Sequence, residues 1–181
     1  MRTSLRYSVV LLLMLAVTLP AQTRYYVDGD QDNDDETGLE EWGQAKKYLQ
    51  SAIALAVEGD EIWVTKGIYA SSGFFVQSGV KLYGGFAGFE ESLEERNWAD
   101  NKTTLTLVEG TEHSVVTFKN VSEETVLNGF IITGGDGNNG GGLNIANASP
   151  QITNCIISDN NGAYGGGVAI NTSSSQDVAH P

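Results

Sequence analysis

One cysteine, two histidines and three prolines leave little room for several kinds of chemistry in these 181 residues. With Cys155 alone there is no disulfide framework, so an exported form of the chain must be held by packing and hydrogen bonds. Basic residues are scarce: 10 Lys and Arg face 23 Asp and Glu, for a formal charge of −13. That balance argues against nucleic acid and against anionic lipid, whose recognition rests on basic patches. It suits a solvated surface, or one that recruits divalent cations. From residue 120 to the C-terminus there is no Lys or Arg at all. Long apolar runs are missing as well, with one exception at the N-terminus.

That exception is a leader. Met1-Arg-Thr-Ser-Leu-Arg6 is basic, residues 9–19 are apolar, and Pro20-Ala21-Gln22 offers cleavage after Ala21. This is the layout of a secretory signal peptide, and the apolar part is too short to span a bilayer. A retained anchor is the alternative. No later segment is apolar enough to cross a membrane, so the chain is expected to be secreted or displayed on a bacterial envelope. Loss of Arg2 and Arg6 with the leader moves the formal charge from −13 to −15.

What the chain has in quantity is glycine, in a repeating arrangement. Gly140-Gly-Gly-Leu143-Asn-Ile145-Ala-Asn147 recurs as Gly165-Gly-Gly-Val168-Ala-Ile170-Asn-Thr172, 25 residues on. At the same offset Leu127 maps to Ile152, Phe130 to Cys155, Ile131 to Ile156 and Ile132 to Ile157. A period in the twenties marks a solenoid, whose units bury their apolar faces by stacking. Apolar residues alternate within short runs, so the unit is built of strands. Leu143 is expected on Val168, Ile145 on Ile170, Phe130 on Cys155 and Ile132 on Ile157, all turned inward. The alternation slips at Asn154, a residue that tolerates left-handed backbone angles, so a corner is expected there. The fold class these features predict is all-β, a right-handed parallel β-helix.

Upstream, Tyr25-Tyr-Val27 reads as a strand. Residues 44–57 carry Ala45, Tyr48, Leu49, Ala52, Ile53 and Ala56 on one helical face, ended by Gly59-Asp60. An amphipathic helix there would cap the solenoid. The domains expected are a signal peptide at 1–21, a strand, acidic loop and capping helix at 22–60, coils at 61–173 and a polar tail at 174–181. The repeat is clearest at 126–173.

Three runs carry a resemblance: Tyr25-Tyr-Val-Asp-Gly29, Glu41-Trp-Gly-Gln-Ala-Lys-Lys-Tyr-Leu-Gln-Ser-Ala-Ile53, and Gly59-Asp-Glu-Ile-Trp-Val-Thr-Lys-Gly-Ile-Tyr69. In this order they resemble the N-terminal cap of secreted bacterial right-handed β-helix proteins. Residues 80–98 are similar to the first coil and loop of that group. The Gly-Gly-Gly repeats resemble those of the polymorphic outer-membrane protein and pectin-lyase-like superfamily. The resemblance implies a surface or secreted protein, usually anchored by a C-terminal sorting domain that is not found here. A truncated gene or fragment is therefore expected, with self-association through the open C-terminal coil.

The superfamily also holds enzymes that cut acidic polysaccharides. Elimination needs a cationic base beside calcium-binding acids, and hydrolysis needs clustered carboxylates. The coils after residue 119 supply Glu123, Glu124, Asp136, Asp159 and Asp177, with neither a base nor an Asp pair. Asp136 and Asp159 read as turn residues on adjacent coils, and His113 and His180 have no triad partners nearby. Cys155 reads as a buried apolar residue rather than a nucleophile.

The site residues expected are Asp28, Asp30, Asp32 and Asp34. Carboxylates at every second position let oxygens converge on one hard cation, and Ca²⁺ is the candidate, with a solvated acidic loop as the alternative. Gly134-Gly-Asp-Gly-Asn-Asn139 resembles one calcium-binding nonapeptide and reads better as a turn. Trp98 and Tyr164 offer aromatic platforms to sugars. The expected function is an exported binding scaffold for a polysaccharide or a surface protein partner. The alternatives are a fragment of a polysaccharide-active enzyme and a passenger segment of a larger adhesin.

Overall fold

The computed structural model of the chain describes residues 21–39 and 41–172. The expected leader, apart from Ala21, and the expected polar tail with His180 lie outside them. Among the described residues the strands are β1 (Arg24–Val27), β2 (Glu61–Thr65), β3 (Gly67–Ser71), β4 (Phe74–Val76), β5 (Lys81–Phe86), β6 (Thr103–Leu107), β7 (Val116–Lys119), β8 (Val126–Asn128), β9 (Phe130–Ile132), β10 (Leu143–Ala146), β11 (Gln151–Thr153), β12 (Ile156–Ile157) and β13 (Val168–Asn171). Helix among the described residues is confined to α1 (Leu49–Leu55) and two 3-10 turns, Trp42–Gln44 and Leu93–Glu95.

The strands form three sheets: β1-β2-β5-β8-β11, β3-β6-β9-β12 and β4-β7-β10-β13. Every pairing is parallel. From β2 onward the chain visits the first, second and third sheet in strict rotation. Apart from β1, which pairs with the next strand β2, each strand therefore pairs with strands a full circuit away and not with its chain neighbour.

This corrects the expectation of a single right-handed β-helix. The molecule is mostly β, but its hydrogen bonds run within three stacked parallel sheets of five, four and four strands. A repeat register predicts which residues are neighbours. It carries no information on how many sheets form or on the hand of the path between them. The helix is corrected too. Lys46 bridges Val27 as an isolated β-bridge, and Tyr48 is extended at φ −105 and ψ 126, so helix starts only at Leu49. Alternation with the first strand and the lysine contacts described below outweigh helical spacing at 44–48. What remains, α1, buries Leu49, Ala52 and Ile53 and packs against β1, β2 and β4.

Inside the three sheets, alternation selects the core. Along β6 the order is buried Thr103, Leu105 and Leu107 with Thr104 and Thr106 half-buried outside. Leu82 and Leu127 stack in the first sheet, Leu105 and Ile132 in the second, and Phe118 and Leu143 belong to the third; all are essentially sealed from water. Burial of such side chains contributes roughly 1.5–3 kcal/mol each. The expected register of the glycine repeats is met residue for residue: Leu143 pairs with Val168 and Ile145 with Ile170. Their expected burial is not met throughout. Ile145 is 7% exposed but Ile170 is 68% exposed, because no described strand lies beyond β13. The corner at Asn154 is present, at φ +54, and Asn120, Asn147 and Asp159 make similar left-handed turns.

Polar groups seal the circuit joints. Thr103, fully buried, donates to Thr65 O and accepts from Gly85 N–H at 2.9 Å. Asp60, also buried, accepts from Thr23 N–H and Val57 N–H and so closes the chain beyond α1. Among the described residues no helix is long and apolar enough to cross a membrane.

Candidate functional site

The outer faces of the three sheets differ in chemistry. Across the first sheet run Arg24, Glu61 and Lys81 in one register row, and β7 of the third sheet ends on exposed Lys119. Among the described residues the second sheet has no charged outward side chain. Its first outward row is Ile68, Thr104, Ile131 and Ile156, neighbour to neighbour. Its second row begins with Ala70 beside Thr106. Backbone bonds from Thr133 N–H to Leu105 O and from Ser158 N–H to Ile132 O extend that row by a threonine and a serine. Adjacent strands repeat about every 4.8 Å, so these side chains form a regular grid. Ile68 is 77% exposed and Ile156 52%, an unusual amount of β-branched surface to leave in water.

Trp98 stands at one margin of this grid. With Lys102, Ile131, Asn154 and Ile156 it lines a groove of about 170 Å³. The tryptophan is positioned by backbone. Gly85, at φ +97, has no room for a side chain against Trp98, and Asn97 N–H donates to Gly85 O at 3.0 Å. Arg96, two residues before Trp98, reaches inward. Its guanidinium donates to Gly84 O at 2.8 Å and to Asn128 Oδ1 at 2.7 Å, and stands 5.3 Å from the Tyr83 ring centre. Burial pulls the Arg96 pKa below its ordinary value, with Tyr83 and Cys155 opposing the shift. Arg96 is thus a structural tie. The arrangement offers an aromatic plane beside a flat apolar and hydroxyl surface, edged by an ammonium and an amide.

The acidic loop that holds Asp28, Asp30, Asp32 and Asp34 is tied by hydrogen bonds. Asp28 Oδ1 accepts from the Thr65 hydroxyl at 3.1 Å and from Asp30 N–H at 3.2 Å, while Asp34 Oδ1 accepts from Tyr48 N–H. Burial pushes the Asp34 carboxyl up, but the Ser51 hydroxyl, the Tyr48 and Lys47 N–H groups and the Lys46 ammonium outweigh it and hold the pKa below the usual value. The Lys46 ammonium bonds Asp34 O, and the Lys47 ammonium bonds Gln31 O and Asp32 O. Three carbonyls of the loop, those of Gln31, Asp32 and Asp34, thus accept from its neighbouring lysines. Among the described residues no three His, Cys, Asp or Glu side chains are grouped to hold a metal. The loop is tied by its own lysines.

Asp136 and Asn161 are neighbours across adjacent turns, with Asn161 Nδ2 donating to Asp136 Oδ1 at 2.6 Å. Asp159 is a left-handed corner, so Asp136 meets an amide rather than a second carboxylate. Tyr164 is 72% exposed on a turn paired with Asn139. Cys155 packs against the main core, and burial pushes its thiol above the ordinary value, against bonds to Phe130 and Gly129 and the Arg96 charge. That is the reverse of an activated nucleophile.

The outward rows of the second sheet escaped sequence reasoning. Their signal was alternation in Gly67-Ile-Tyr-Ala-Ser71 and Thr103-Thr-Leu-Thr-Leu107, hidden by the unequal chain lengths separating Ile68, Thr104 and Ile131. Comparison with protein-family models, with curated proteins and with solved structures finds no match to the chain.

Proposed function

We propose that the protein is an exported binding scaffold whose second sheet lays its uncharged outer face, with Trp98, against a neutral polysaccharide. The observation that carries this reading is the charge-free grid itself, in a chain of net charge −13. A surface left bare of charge and rich in β-branched side chains favours a neutral, partly apolar ligand, because burying it strands no ion. Trp98 gives the stacking plane that sugar C–H faces prefer, and Thr106, Thr133 and Ser158 give hydroxyls on adjacent strands about 4.8 Å apart, a repeat close to one sugar ring of an extended glycan. The leader supports an extracellular place of work.

Affinity electrophoresis through gels containing a soluble neutral glycan, such as hydroxyethyl cellulose or mannan, tests the reading. Retardation of the full chain that is lost in Trp98→Ala and kept in Tyr164→Ala supports it. Equal mobility with and without every neutral glycan, or retardation indifferent to Trp98, overturns it. Release of reducing ends or of unsaturated products would move the protein among polysaccharide-cleaving enzymes instead.

A further inference from the structure

A second surface lies on the outer face of the first sheet and is unlike the grid in every respect. Tyr26, Trp63 and Phe86 form an aromatic cluster there, separate from the main core, with Trp42, Tyr83 and Leu93 packed on it. Trp63 and Phe86 are stacked at 4.5 Å, and Tyr26 meets Trp42 edge-on at 4.7 Å. Two guanidinium groups already cap this cluster. Arg24 Cζ lies 3.7 Å from the centre of the Trp63 ring, and Arg96 stands over Tyr83. Toward Trp42 the cluster opens into a groove of about 510 Å³, walled by Tyr26, Trp42, Phe89, Glu41, Glu90 and Glu91 but by no Lys or Arg.

Phe89 is 77% exposed there, yet the turn that carries it is held firmly. The Glu90 carboxylate, 3% exposed, accepts from the N–H groups of Ala87, Gly88 and Phe89 at 2.7, 3.0 and 3.1 Å. Glu90 O in turn accepts from Trp42 Nε1 at 3.0 Å. The buried carboxylate has no cation beside it; among the described residues the ion pair is Arg24 with Glu61. A buried charge that is hydrogen-bonded but not neutralised leaves a negative potential at the wall, which Glu41 and Glu91 reinforce.

We propose that this groove binds an organic ammonium group, seated between Phe89 and Trp42 with the three carboxylates around it. Aromatic faces attract cations through their quadrupoles, and the guanidinium of Arg24 on Trp63 shows the same cluster doing so internally. The proposal stands apart from the glycan reading, on a different sheet and with an acidic wall in place of an uncharged one. Its source is a lysine side chain of a partner protein or a small quaternary amine, which share the chemistry.

The test follows the Trp42 indole N–H resonance of the full chain during titration with tetramethylammonium chloride. Sodium chloride at equal ionic strength and tert-butanol, a neutral shape-mimic, are the controls. A saturable shift with the ammonium alone, weakened about five-fold in Phe89→Ala and in Glu91→Gln, is expected. Glu109→Gln, a remote exposed acid, should leave it unchanged. A second arm adds a lysine-containing peptide. Competition with tetramethylammonium identifies a protein lysine as the source, and its absence identifies a quaternary amine. A shift reproduced by sodium chloride or by tert-butanol, or indifferent to both groove variants, overturns the proposal. None of these readouts involves Trp98, so the two surfaces stand or fall separately.

Discussion

Gly85 and Trp98 touch backbone to backbone: a Cβ built on Gly85 would come within 2.5 Å of Trp98 Cα. The left-handed φ of +97 at Gly85 removes the choice of any other residue there. The exposed tryptophan at the margin of the second sheet is therefore seated by a glycine of the first.

Gly85→Ala should cost about 1–3 kcal/mol from strain and displace Trp98. Thermal melting will show the lower midpoint. Trp98 fluorescence should shift toward that of a fully hydrated indole, and glycan retardation should fall even where the protein remains folded. An unchanged emission spectrum would mean that the loop carries its own conformation.

Arg96 bridges two strands of the first sheet through Gly84 O and Asn128 Oδ1. Arg96→Ala removes charge-assisted bonds from Asn128 Oδ1 and from the carbonyl of buried Gly84, for a loss of about 2 kcal/mol in urea unfolding. Arg96→Lys should recover little of it, because a single ammonium cannot reach both oxygens in one plane.

High pH should unfold the protein through Tyr69. Burial pushes its phenol up to about 12, helped by Asp28 and Asp30, against bonds to Thr65 and Gly29. The unfolded chain releases that proton near the ordinary phenol value of 10.0, so below this pH the contribution is complete. Between there and about 12 the native state alone holds the proton, and stability falls as pH rises, by up to about 2–3 kcal/mol. Tyr25 and Tyr83, both raised by burial, add to the same window. Urea midpoints measured from pH 9 to 12 check the slope, which should flatten in Tyr69→Phe.

Ile145→Asp and Ile170→Asp distinguish register from burial. The two residues are direct cross-strand partners, yet one is 7% exposed and the other 68%. An aspartate at 145 strands a charge in the core and should abolish cooperative melting, at several kcal/mol. At 170 it should shift the midpoint by no more than about 0.5 kcal/mol. Equal damage from both would show that Ile170 is covered in solution.

Neighbours were legible in the sequence, and surroundings were not. The spacing of Leu143 to Val168 and of Ile131 to Ile156 gave their pairings directly, because identical units side by side impose one register. The corner at Asn154 was legible because a slip in alternation demands a bend. Three facts had no local signature. Sheet number depends on how sharply the chain turns between strands. The start of α1 was moved by Val27 bonding near Lys46, a contact far along the chain. The ties of the acidic loop were hidden as well, because spacing shows its carboxylates and not the lysines that fold back upon its carbonyls. The grid of the second sheet was invisible for a related reason: its rows exist only once unequal stretches of chain have been wound into register.

The rotation of the chain through three sheets also sets how such a protein can change over evolutionary time. From β2 to β13 the successive partners lie one complete circuit apart, so losing or gaining a residue inside a strand disturbs ladders above and below it. Duplication of a whole circuit disturbs none, since the copy meets the same edge as its parent. The glycine-rich unit at 140–147 and its echo at 165–172 have the form that such an event leaves behind. Growth by whole circuits would lengthen the uncharged grid one rung at a time, tuning the reach of a binding surface without redesigning any part of it.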